Sequence, residues 1–150
     1  MYSYNRPHRS DRERRRITDY GAEPFVVNIR REALQNRFFR RALWTGEYLQ
    51  LTLMSIPCRG EIGQEMHSDT DQFLCIEEGQ GVVMMGKHRG QMNHKRRVGA
   101  GDAIFVPAGT WHNLVNVAHS PLKLYSIYAP PHHPHGTIHQ TKDIADKAGD

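Results

Sequence analysis

Cysteine is scarce in this chain, with Cys58 and Cys75 the only two among 150 residues. Two thiols so placed make neither a zinc-type pair nor a disulfide framework, and they read as small packing groups in a reducing compartment. Long apolar runs are missing as well. No window approaches the roughly eighteen continuous apolar residues that a membrane-spanning helix needs. The opening MYSYNRPHRSDRERRR has no apolar core of a secretory signal. The expectation is a cytoplasmic protein without a membrane partner. Aromatic residues are few, at 9%, and are not interleaved with the basic clusters. Nothing in the pattern therefore calls for a nucleic-acid partner.

What is present is ordinary for a folded domain: 38% hydrophobic and 24% charged residues. A length of 150 residues accommodates one core and is short for two. The net charge of +4 is uneven. Residues 1–41 hold eleven arginines against five acids, whereas residues 42–150 hold nine basic groups against eleven acids. Clustered arginines attract polyanions, but without supporting motifs the N-terminal excess reads as a solvated basic leader over residues 1–20.

Beyond the leader, FVVNI (Phe25 to Ile29) is a β-type run and REALQN a helical turn. FFRRALWTGEYLQLTLMSIP then alternates as two strands around Thr45-Gly46. Gln50, Thr52, Met54 and Ile56 share one face, and Leu49, Leu51 and Leu53 the other. Next come the strands of QFLCIEEGQGVVMMG, a polar hairpin KHRGQMNHKRRVGAGD, and the runs AIFVPAG, WHNLVNV and LKLYSIYAP. Many short strands with Gly, Pro and Asn punctuation predict an all-β sandwich or closed barrel over residues 21–130. In the last run one of Tyr125 and Tyr128 must face inward, because they lie on opposite faces. A tail over residues 131–150 starts with prolines, carries His132, His133, His135 and His139, and ends in a short helix. The prolines make this histidine tract read as an extended surface segment.

Two stretches carry chemistry. In EMHSDTDQFLCIEEGQG, Glu65 and His67 are two apart and point the same way from a strand, and Gln72 falls on an inward face once the SDTD turn has broken the strand. Asp69 and Asp71 read as turn formers rather than ligands. In GDAIFVPAGTWHNLVNV, Pro107 and Gly109 make a tight turn that launches His112, and Leu114 and Asn116 share the face of His112.

These two stretches resemble the two motifs of the cupin superfamily, small single-domain β-barrels of jelly-roll type. The second motif, a glycine, five residues, P-x-G-x-x-H and an asparagine four further on, is matched by Gly101, Pro107, Gly109, His112 and Asn116. The first normally runs H-x-H, three or four residues, a glutamate, six residues and a glycine. Alignment on Gly79 sets Glu65 on the first histidine, His67 on the second and Gln72 on the glutamate, and Arg59 on the usual opening glycine. The first motif thus spans about residues 60–81 and the second about residues 101–116.

The resemblance implies an all-β jelly roll with a short helical turn before the barrel and irregular termini. It also implies a divalent metal ion, whether Zn, Fe, Mn or Ni, held by Glu65, His67, Gln72 and His112. Two neutral imidazoles, an amide oxygen and one carboxylate offer such an ion a charge of −1, as three histidines and a glutamate would. Two histidines with glutamine and glutamate are also similar in ligand type to the zinc site of mannose-6-phosphate isomerase. Two functions follow. One is a metal-dependent enzyme on a small-molecule ligand, of oxygenase or isomerase class, with Glu65 as the candidate general base. The other is a non-enzymatic cupin, either a small-molecule sensor or a structural assembly protein. A pocket with polar company favours the first, and one plugged by leucines the second. The resemblance further implies a homodimer, in keeping with the apolar residues on both faces of the Leu49 to Ile56 strand.

Overall fold

In the computed structural model, residues 18–149 are described, so most of the basic leader lies outside them. The segment leading to the barrel is not a strand. Phe25 to Val27 are irregular, and α1 (Ile29–Gln35) begins at Asn28, whose side chain accepts from the Arg31 backbone N–H at 3.0 Å. An asparagine in that position satisfies one of the free donors of the first turn, which outweighs the β preference of the valines before it.

Nine strands follow: β1 (Arg40–Thr45), β2 (Gln50–Ile56), β3 (Asp71–Glu78), β4 (Gln80–Gly86), β5 (His94–Gly99), β6 (Ala103–Val106), β7 (Trp111–Asn116), β8 (Leu122–Ala129) and β9 (Ile138–His139). A second helix, α2 (Lys142–Lys147), closes the described chain. No helix among the described residues is long and apolar enough to cross a membrane. The polar hairpin after β4 contains β5, a strand with His94 to Arg97 exposed. Pairing along the whole of β4 fixes it as a strand, although it has no apolar alternation.

All strand pairs are antiparallel. One sheet has the order β6-β3-β8-β2-β1-β9, and the other has β5-β4-β7. Residues 61–65 extend the smaller sheet past β7 through the pairs Glu61 to Val115 and Glu65 to His112. The two inner faces enclose one core of Met54, Ile56, Leu74, Ile76, Val83, Leu114, Leu122 and Leu124, among others. Gln50, Thr52, Met54 and Ile56 of β2 all face inward, fully buried.

The outer face of β2 is covered from within the chain. Leu53 packs there with Leu43 and Ala33 of α1, flanked by Leu51, Tyr20, Val27 and Ile29. That apolar face therefore needs no partner to bury it. On β8, Tyr128 is the tyrosine that points inward, with no exposed surface, beside Ser126 and Leu124.

The histidine tract is not an extended surface tail. His133 and His139 are buried, and Ile138 and His139 pair with β1 as a sheet edge. The side chain of Gln50 explains this placement. Its Oε1 accepts from the backbone N–H of His132 (3.2 Å) and His133 (2.9 Å), and its Nε2 donates to the His133 carbonyl (2.9 Å) and to Thr45 Oγ1 (3.0 Å). An amide side chain so used acts as a strand edge for a segment whose prolines cannot pair fully. Asp19 ties the same region down, its Oδ2 accepting from the Gly136 N–H at 2.9 Å and from the Thr45 hydroxyl.

Candidate metal centre

Glu65 and His112 face each other because their backbones are paired: the Glu65 N–H donates to the His112 carbonyl at 3.0 Å and the His112 N–H returns to Glu65 at 2.9 Å. Two residues on, the His67 carbonyl accepts from the Gly109 N–H at 2.7 Å. Gly109 has φ +81°, the left-handed value required at the third position of a type II turn, and Thr110 N–H closes that turn on the Pro107 carbonyl at 3.1 Å. The first motif is thereby bonded to the turn of the second. Asp71 adds to the joint by accepting from the Ala108 N–H at 2.8 Å, across the motifs rather than within its own turn. The motif asparagine is structural, for Asn116 Nδ2 donates to the carbonyls of Ile56, Pro57 and Ser120.

The side chains so placed converge. Donor atoms of Glu65, His67 and His112 all lie within 4.8 Å of one another. Glu65 Oε1 is 3.3 Å from His112 Nε2 and 3.6 Å from His67 Nε2, without hydrogen-bond geometry to either. Donors about 2.1 Å from a first-row ion stand about 3.0–3.4 Å apart on its coordination polyhedron, so the spacing suits one. His112 Nδ1 lies 3.0 Å from the Thr110 carbonyl. A carbonyl only accepts, so Nδ1 carries the proton and Nε2 presents its lone pair to the cluster, the usual outer support of a metal-binding imidazole.

Gln72 is buried on β3, paired in register with Tyr128, whose ring meets the edge of the His67 ring at a centroid distance of 5.8 Å. Its Nε2 donates to Ser126 Oγ at 2.8 Å, which leaves Oε1 without a hydrogen-bond partner among the described residues. His67 Nε2, His112 Nε2 and Glu65 Oε1 are also buried and unpartnered. Four lone-pair atoms left unsatisfied at one end of a barrel are what a cation would satisfy. Burial pushes the Glu65 carboxyl up, but without an ion, when the facing nitrogens of His112 and then His67 carry protons of their own, their attraction outweighs it and holds the group well below the usual carboxylate range. The carboxylate is thus ready as an anionic ligand.

Sequence reasoning missed His132. It lies outside both motifs, yet its ring packs on His67 at a centroid distance of 4.0 Å and stacks on Tyr128 at 5.7 Å. Only the 83-residue reach from Gln50 to His133 brings it there, and no local signal announces such a contact.

The Cupin domain family model matches residues 52–128, more than half of the chain. The chain is a cupin. Among its relatives, the uncharacterized protein YrkC of Bacillus subtilis (strain 168) is 56% identical over 134 residues, which cover 89% of this cupin and 72% of that protein. The uncharacterized protein L612 of Acanthamoeba polyphaga mimivirus is 39% identical over 131 residues, 84% of this cupin and 80% of the viral protein. The crystal structure of BH2720 from Bacillus halodurans superposes with a TM-score of 0.86 at 57% identity, covering 87% of this cupin and 98% of that chain. These likenesses confirm the jelly roll expected from the motifs.

Proposed function

We propose that this cupin is a metal-dependent enzyme acting on a small molecule, with Glu65, His67, Gln72 and His112 as ligands of a divalent first-row ion. The observation that carries the reading is the convergence of buried donor atoms with no hydrogen-bond partners of their own. The bound ion would supply Lewis acidity toward a substrate oxygen. The chain's own residues position it: Thr110 fixes the His112 tautomer, Ser126 orients the Gln72 amide, and the paired backbones set Glu65 against His112. Glu65 Oε1 stands 3.3 Å from His112 Nε2 and 3.6 Å from His67 Nε2, a spacing that favours it as ligand over general base. The interior beside the cluster is polar, with Gln50, Thr52, Ser126 and Tyr128 where a scaffold barrel would carry leucines. That company supports chemistry, of oxygenase or isomerase class, over a sensor or assembly role.

The test is metal content by mass spectrometry on the full-length protein and on a His67→Ala, His112→Ala double variant. We expect near-stoichiometric iron, manganese, zinc or nickel in the first and its loss in the second. No metal in either, with the variant folded, would make the four residues a polar cluster and restore the scaffold reading.

The homodimer belongs to the same proposal, now on a different surface. Phe105 is 70% exposed on the outer face of the large sheet, edge-on to Phe73 at 5.0 Å, with Tyr125 beside them. Exposed aromatics gathered on a sheet face suit a second copy of the chain. Light scattering should give twice the chain mass, reduced in Phe105→Glu; a wild-type monomer at working concentration refutes it.

A further inference from the structure

A second gathering of cations lies away from the metal cluster, on the hairpin of β4 and β5. Lys87, Arg89, Lys95, Arg96 and Arg97 are five of the nine basic groups in residues 42–150, and no acid stands between Glu78 and Asp102. All five are exposed, and none has an ion-pair partner among the described residues. The hairpin that carries them is well held. Met92 is buried in it, the Gln91 N–H donates to the His88 carbonyl at 3.0 Å, and the Arg89 guanidinium lies over the Trp111 ring at 5.8 Å.

Strand β5 is an edge of the smaller sheet, and the register tells which of its backbone groups are open. Glu65 and His112 exchange backbone hydrogen bonds, so His112 turns its own groups away from β4, and Met85 opposite it turns toward His94. By the alternation of an antiparallel ladder, His94, Arg96 and Val98 bond to β4, while Lys95 and Arg97 point their N–H and C=O outward. No other backbone group among the described residues meets them. Gly99 ends the open stretch, because its N–H donates to Asp102 Oδ2 at 2.8 Å and its carbonyl accepts from the Asp102 N–H at 3.0 Å.

The faces narrow the choice of occupant. Arg96 stands opposite Val83 and Lys95 opposite Met84, so consecutive cations project from opposite faces of the sheet. A nucleic acid resting on one face would reach only every second cation. A strand added at the edge reaches both faces, since each of its residues stands opposite one of β5. A second copy of β5 in that place would set cation against cation.

We propose that β5 is a docking edge for an extended acidic segment of another protein. That segment adds a strand to the smaller sheet by bonding to the backbone of Lys95 and Arg97, and sets consecutive carboxylates against Lys95, Arg96 and Arg97. The surface is independent of the metal cluster.

The test is fluorescence anisotropy on the full-length protein, with a labelled strand-length peptide whose consecutive glutamates are flanked by valine and threonine. A glutamine counterpart removes the charge, and a counterpart N-methylated through its glutamates keeps the charge but cannot pair as a strand. Exposed charge pairs are individually weak, so the set should make the glutamate peptide bind about tenfold tighter than either counterpart at low salt, and less so as salt rises. Arg96→Glu with Arg97→Glu should lose about tenfold. Lys95→Pro, which removes an outward N–H as well as the charge, should lose several-fold more than Lys95→Gln, with melting temperatures held. If Lys95→Pro does not fold, the methylated peptide reads the same bonds from the partner's side. Three results would overturn the proposal by giving the edge to another occupant: equal binding of the methylated peptide, to charge alone; equal binding of a single-stranded oligonucleotide of the same charge, to nucleic acid; and a wild-type dimer broken by Arg96→Glu with Arg97→Glu, to a second copy. Absence of binding by every probe overturns it as well, and leaves the cations as guards against edge-to-edge pairing.

Discussion

The same strands build two ends of one barrel, and the ends differ in kind. Along β2 the inward residues run Gln50, Thr52, Met54, Ile56, and along the paired β8 they run Tyr128, Ser126, Leu124, Leu122. At the Leu122 end the lining is packed apolar side chains, and the one motif amide there, Asn116, is hydrogen-bonded to the Ile56, Pro57 and Ser120 carbonyls. At the Tyr128 end the lining is hydroxyl, amide, imidazole and carboxylate, much of it unpartnered. The change takes two residues per strand. Stability is concentrated at one end so that the other can hold groups in arrangements that cost stability, a division seen wherever a site is built on a rigid scaffold.

Cutting into the apolar end gives the largest expected effect. Leu124→Ala, at a position with no exposure, should cost about 2–5 kcal/mol in urea unfolding. The folded fraction should keep its metal. Loss of metal without loss of stability would mean that the ends are not separable.

At the polar end, acid is the sharper tool. The depressed Glu65 carboxyl contributes stability that is full above its ordinary range, about pH 4.3, and is lost as pH falls through the lower folded value. In chelated protein, wild type should lose stability below pH 4.3 by up to about 1.4 kcal/mol per pH unit more than Glu65→Gln does. Parallel acid limbs would show that Glu65 is not held as described.

The smallest effect concerns the rim. Arg59 occupies the first motif's glycine position with φ +60°, the one positive φ of a non-glycine among the described residues. Arg59→Gly should raise stability by about 1 kcal/mol, since a side chain there crowds the following carbonyl. A lower melting temperature would show that the Arg59 side chain makes contacts worth more than the strain.

The legible parts of this molecule were the local ones. Gly101, Pro107, Gly109, His112 and Asn116 stand at fixed offsets within one turn and one strand, and alternation alone sorted the faces of β2. The approach of Glu65, His67 and His112 followed from those offsets, whereas the setting of Gln72 depended on its β8 neighbours Tyr128 and Ser126. The helix over IRREALQ was legible only in part, as the turn REALQN, because its cap Asn28 stands inside the β-type run FVVNI. Strand β5 was hidden because exposed His94, Lys95, Arg96 and Arg97 carry no apolar period. His132 and the inward choice of Tyr128 were hidden because their neighbours are far along the chain.

The clamp of Gln50 on residues 132–133 also bears on how the barrel closes. Strand β8 lies between β3 and β2 and ends at Ala129, just before His132. At about 5–20 residues per second, less than about a second of synthesis separates the strand that completes the sheet from the segment that packs on His67. Completion of the sheet and covering of the cluster therefore belong to one event.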